Sequence, residues 1–90
     1  MSTKSYYYSK KLTASDTQQT FELPRLRNIR VLNYGSSDVL IEFENDIDSD
    51  SIILPTRGDI EVPSDMLDIR YKTNSGTSTI YIYGLLHAKA

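Results

Sequence analysis

Cysteine and tryptophan are absent from this 90-residue chain, histidine occurs once, proline and alanine three times each and glycine four times. Each shortage excludes something. Without cysteine there is no disulfide scaffold, no thiolate zinc site and no thiol nucleophile, and the redox compartment stays open because a thiol-free chain suits either. The single His87 lies near the carboxyl end with no second histidine for a metal site, and it reads as a tail residue. None of the eleven serines stands in a G-x-S-x-G setting, and the four glycines form neither a phosphate-binding loop nor a dinucleotide fingerprint. Neither catalysis nor a bound cofactor is expected. No apolar run approaches the roughly 20 residues of a bilayer-spanning helix. The amino end, MSTKSYYYSKK, lacks the apolar core and cleavage site of a secretory leader, so none is expected.

What the chain does contain is β-forming. Nine Ile, three Val, seven Tyr, two Phe and eight Thr make up nearly a third of it, against few of the alanines that helices use most readily. Ninety residues suffice for one small core and no second one. The formal net charge of −2 hides a split: residues 1–30 carry six basic and two acidic groups, residues 31–68 one basic and ten acidic. A basic amino-terminal third beside an acidic middle can dock on an acidic neighbour, or simply present two solvated surfaces.

Period-2 alternation recurs along the chain and no helical stripe does. Val39, Ile41 and Phe43 alternate with Asp38, Glu42 and Glu44, as on a strand with one dry and one wet face. Leu67, Ile69 and Tyr71 alternate with Asp68, Arg70 and Lys72, and Ile80 and Ile82 with Tyr81 and Tyr83. Between these two strands Asn74-Ser75-Gly76 predicts a hairpin, with Gly76 in the left-handed conformation. Gly35-Ser36-Ser37 predicts a second hairpin joining strands 28–34 and 38–44, and Pro55 to Asp59 a third joining 52–54 and 60–62. Residues 6–13 and 17–23 read as two earlier strands, with Tyr6, Tyr8 and Leu12 inward on the first and Phe21 and Leu23 inward on the second, and 44–50 as an acidic crossover from one sheet to the other. The expected fold is a single all-β domain over 1–90: a small antiparallel two-sheet sandwich, jelly-roll or Ig-like, of seven to eight strands. An extended amino-terminal segment (1–13) and a carboxyl-terminal tail (85–90) are expected to flank it.

Several wet faces carry large rings or aliphatic groups. Leu32 and Tyr34 stand opposite Ile29 and Val31, Tyr81 and Tyr83 opposite Ile80 and Ile82, and Tyr7 opposite its neighbours. Tyrosine suits strands in general, but it also suits interfaces, where its ring is buried while its hydroxyl reaches a polar group. The candidate docking surface is therefore Tyr7, Leu32, Tyr34, Tyr81 and Tyr83, with Leu85 and Leu86 as a tail anchor. Lys4, Lys10, Lys11, Arg25 and Arg27 are candidate contacts to acidic neighbours.

Other motifs carry less. Carboxylates recur through Glu44 to Asp50 as if for a hard cation, yet an EF-hand frame starting at Asp46 needs Gly at Ser51 and Glu at Arg57. The preferred reading is a solvated connection whose side chains bond nearby backbone amides. Arg57-Gly58-Asp59 is an integrin-recognised tripeptide, but Gly beside Asp in a turn has its own backbone reason. Lysines and arginines near Tyr6 to Tyr8 would suit a single-strand nucleic-acid-binding barrel, against which stands the acidic middle of the chain.

The run Val39-Leu40-Ile41-Glu42-Phe43-Glu44 with its Asp-rich sequel, then Leu54-Pro55 and Gly58, then Ile69-Arg70-Tyr71 and Ser75-Gly76-Thr77 before Ile80-Tyr81-Ile82, resembles small β-sandwich virion proteins of tailed bacteriophages. The likeness covers about residues 26–84. It implies a non-enzymatic structural subunit, capsid decoration or cement first, or a minor neck, tail or fibre component. It also implies virion localisation after synthesis in the host cytoplasm and other virion proteins as partners, with homo- or hetero-oligomers in the particle and no membrane. It brings no catalytic residue, and Lys4 to Lys11 has no counterpart in it. Receptor or carbohydrate binding by a tail or fibre module is the alternative, with single-strand nucleic-acid binding behind it.

Overall fold

Alternating residues with β-branched or aromatic side chains on the dry face fold here as eight strands: β1 (Lys4–Ala14), β2 (Gln19–Glu22), β3 (Arg27–Asn33), β4 (Val39–Phe43), β5 (Ile52–Leu54), β6 (Asp59–Glu61), β7 (Asp68–Thr73) and β8 (Ser78–Ala88). The computed structural model describes residues 4–23, 27–63 and 66–88, with side chains at 8–23, 28–63 and 66–84. The strands form two four-stranded antiparallel sheets, β1-β8-β3-β6 and β2-β7-β4-β5. Val31, Ile80 and Ile82 from the first sheet and Val39, Ile41 and Ile69 from the second are fully buried between them, with Leu12, Phe21 and Leu23 packed alongside.

The expected sandwich is present, and its topology selects between the two anticipated forms. Pairing β1 with β8, β2 with β7, β3 with β6 and β4 with β5 is one long hairpin folded over on itself, which is a jelly roll. That winding overturns the local connections read from the sequence. The three expected hairpins, β3–β4, β5–β6 and β7–β8, are all corners at which the chain leaves one sheet for the other. The acidic connection expected to cross between sheets instead joins β4 to β5, the one sequential pair that hydrogen-bonds side by side. Turn residues reverse the chain, but the reversal is the same whether the next strand returns beside the first or about 10 Å away in the facing sheet. Gly76 does adopt the left-handed conformation, with φ at 72°.

Three corners meet at one end, around Asn33. Its side chain is completely buried. Nδ2 donates to the carbonyls of Ser37 at 2.7 Å and Leu54 at 2.9 Å, while Oδ1 accepts from the Gly35 amide at 3.1 Å and the Ser78 hydroxyl at 2.7 Å. One amide thus ties together the ends or starts of β3, β5 and β8, with no donor or acceptor left over. Backbone bonds continue the junction: Tyr34 N–H to Thr79 C=O at 2.8 Å and Arg57 N–H to Asn33 C=O at 2.7 Å.

Over the described residues, the expected amino-terminal arm and carboxyl-terminal tail pair with each other as parts of β1 and β8, from Lys4↔Ala88 to Ala14↔Ser78. The partner strands are shorter. β3 carries a bulge between Arg27 and Arg30, where Asn28 takes a positive φ of 58°, and it last meets β8 at Leu85. Beyond that point β1 is the only strand neighbour of β8 among the described residues.

The connection from β4 to β5 lies back against the outer face of the second sheet. Asp46 accepts from Arg70 Nη1 at 2.9 Å and from the Gln18 amide at 3.1 Å, and Gln18 Oε1 accepts the Ile47 N–H at 2.8 Å. Two other acidic side chains here serve the backbone, Asp48 accepting from Asp50 N–H and Glu44 from Leu67 N–H. The Gln18 bond first and Arg70 second hold the Asp46 carboxyl below its ordinary value. A depressed carboxyl stabilises the fold above the unfolded value and loses that contribution as pH falls through the folded one. Acidification below about pH 4 is therefore expected to free this connection before the core opens. Amide exchange at Ile47 reads it: protection should fall with pH in the native chain and be low and pH-independent in Asp46→Asn.

Candidate functional site

The candidate site is the outer face of the β1-β8-β3-β6 sheet. Directly paired residues in an antiparallel sheet share a face, so the register writes out its rows. Lys11, Tyr81, Leu32 and Asp59 form one row; Ser9, Tyr83, Arg30 and Glu61 form the next. Tyr34, just past β3, sets its ring edge-on to Tyr81, with centroids 5.9 Å apart and planes at 71°. Tyr34 is 61% exposed, while Leu32, Tyr81 and Tyr83 are half-buried. Four of the residues singled out in the sequence thus come together on one surface. An outward face normally needs no such side chains, since Ile80, Ile82 and Val31 already fill the core side of the same strands.

A polar pin holds this surface. Arg30 Nε donates to Asp59 Oδ1 at 2.7 Å, the Tyr83 hydroxyl donates to Asp59 Oδ2, and Glu61 lies 3.7 Å from Arg30 Nη1. The hydrogen bond to Asp59 raises the Tyr83 hydroxyl above its ordinary value, with partial desolvation adding to it, so the phenol stays a donor. The same carboxylate raises the Arg30 guanidinium. These exposed charges add little stability, but they fix the ring of Tyr83 in place before any partner arrives.

Arg30 and Asp59 were not singled out from the sequence as a pair. A signal for Arg30 existed, since residues 30, 32 and 34 share one period-2 face, but nothing local shows that β6 lies beside β3. Asp59 had been read only within the Arg57-Gly58-Asp59 turn, where its carboxylate is now seen to be engaged by Arg30 and Tyr83.

The basic set does not form one face. Lys11 pairs with Tyr81 on the outer side, whereas Lys10 pairs with Ile82 and so belongs to the opposite side; both are exposed on the edge strand. Strand alternation separates any two consecutive residues in this way. The side chains of Lys4, Tyr7, Arg27, Leu85 and Leu86 lie outside the described residues, as does Arg25 altogether. Register places Tyr7 opposite Leu85 and Arg27 opposite Leu85 on its other side.

Elsewhere, Ile52 and Ile53 are exposed on the three-residue β5, and Leu67 is exposed before β7. These side chains lack the fixed hydrogen bonds of the tyrosine face. Comparison with family models, curated proteins and solved structures finds no match to the chain.

Proposed function

We propose that this chain is a non-enzymatic structural subunit of a bacteriophage particle, a decoration or cement protein that docks on a protein neighbour through the face formed by Tyr34, Tyr81, Leu32 and Tyr83. The observation that carries the reading is that face itself: three tyrosines and a leucine on the wet side of a sheet, one of them pinned by Arg30 and Asp59. Tyrosine buries much area with few rotatable bonds, so a fixed tyrosine face binds with a small ordering cost. The jelly roll is compatible with this role by analogy alone, since viral capsid domains and lectins both use it.

The lectin use supplies the second reading, favoured by the exposed ring of Tyr34, a face on which a sugar would stack. Sedimentation of particles separates the two. The protein is expected to travel with assembled heads or tails in a fixed copy number. Absence from particles, with saturable retention on a glycan array, would replace the docking reading with the carbohydrate one.

A further inference from the structure

We infer that two copies of this chain associate through the free edges of their β1 strands, paired antiparallel about a two-fold axis at Ser9, to make one continuous eight-stranded sheet. This contact uses the sheet edge, and it stands independently of the docking face proposed above.

Three observations converge on it. First, β1 is an edge strand of eleven residues, whereas the other three sheet edges, β6, β2 and β5, offer three, four and three. A row of unpaired backbone groups about 36 Å long is a template for another strand. Secondly, among the described residues the sheet past Leu85 narrows to β1 and β8, and a two-stranded ribbon in water is marginal until a third strand joins it. Thirdly, the strand is complementary to its own reverse. In the full-length antiparallel register centred on Ser9, Tyr7 falls opposite Lys11, Tyr8 opposite Lys10, Tyr6 opposite Leu12 and Lys4 opposite Ala14. No lysine meets a lysine. Among the described side chains, this register sets the ring of Tyr8 across from the ammonium group of Lys10, which it can attract. A two-fold axis normal to the sheet requires the residue numbers of each pair to add to an even total, and this register meets that condition while using the whole strand.

A rival occupant of the same edge is the acidic β6 of another copy, with Asp59 and Glu61 against Lys10 and Lys11. That contact joins unlike edges and generates rings or filaments instead of closed dimers. Asp59 is already bonded to Arg30 and Tyr83, and β6 offers only three residues, so the two-fold pairing is favoured.

Cross-linking tests the geometry. Because the chain has no cysteine, Ser9→Cys introduces a single thiol. Across the axis its Cα would lie about 4.5–5.5 Å from its mate, within disulfide range. Thr13→Cys, whose mate would be eight residues out of register, about 26 Å away, is the control. Ser9→Cys is expected to form a covalent dimer under mild oxidation at least tenfold faster than Thr13→Cys, and Ser9→Lys to abolish dimers in sedimentation equilibrium while keeping the melting temperature. One strand pair buries less than the about 1,200 Å² of a stable complex, so the free dimer should be of micromolar strength. Equal cross-linking at the two positions, a monomer throughout a concentration series, or an open-ended ladder of oligomers would each overturn the proposal.

Discussion

Asn33→Ala should destabilise the domain severely. The Ser37 and Leu54 carbonyls, the Gly35 amide and the Ser78 hydroxyl would lose the partner they share. The bonds to the Leu54 carbonyl and the Ser78 hydroxyl are buried and the other two partly so, and at about 1–3 kcal/mol for each buried orphan the buried pair alone costs about 2–6 kcal/mol. A domain of this length has only about 5–13 kcal/mol of stability to lose. In urea titration the midpoint should fall by at least about 0.7 M, given a slope of about 1–3 kcal/mol per molar. A fall of a few tenths would mean that water or neighbouring groups replace the asparagine, and that the corners do not depend on it.

Gly35→Ala probes the same junction by volume. A Cβ there would lie 2.0 Å from Ser78 Oγ, 2.4 Å from Thr79 N and 2.7 Å from Ser78 Cα. The hydroxyl can rotate away; the two backbone atoms cannot, so the β3–β4 corner must lift from β8 and weaken the Tyr34 to Thr79 bond. The expected loss is about 3 kcal/mol, at the upper end for overpacking. Gly76→Ala supplies the scale. Its Cβ meets only Ser37 Oγ, at 3.7 Å, so the substitution bears chiefly the left-handed backbone cost of about 1 kcal/mol. For a domain this size that is a drop of about 4–8 °C, and Gly35→Ala should lose at least twice as much. Equal losses would contradict the close approach at Gly35.

The two glycines show what the sequence makes legible. Gly76 was readable because its demand is local: a turn needing positive φ between two alternating strands. Gly35 occupies an equally plausible turn, but its main demand comes from Ser78 and Thr79, more than forty residues away, and no local pattern records that. The same division runs through the fold. Strand positions and inward residues such as Val39, Ile41, Ile69, Ile80 and Ile82 follow from period-2 alternation. Which strand neighbours which does not, and for that reason three corners read as hairpins and the one sequential hairpin read as a crossover. Asn33 carried a usable signal. It falls on the same face as Ile29 and Val31, and an amide on the dry side of a strand must find partners, which points to a junction even before the junction is known.

On the candidate site, alternation was enough to put Leu32, Tyr81 and Tyr83 on outward positions, and the sheet order then made them neighbours. The Arg30–Asp59–Tyr83 pin depends on β3 lying between β8 and β6, a fact of winding that residues near in sequence cannot encode.

The central claim is that the tyrosine face is where this subunit meets its neighbour, and the most direct measurement is particle sedimentation of the paired variant Tyr34→Ala with Tyr81→Ala. Tyr34 is mostly exposed and neither ring takes part in the Asp59 network, so the free protein should keep its fold and solubility. The expected result is a folded variant left behind in the soluble fraction while the native protein pellets with particles. A folded variant that pellets at native copy number would contradict the claim.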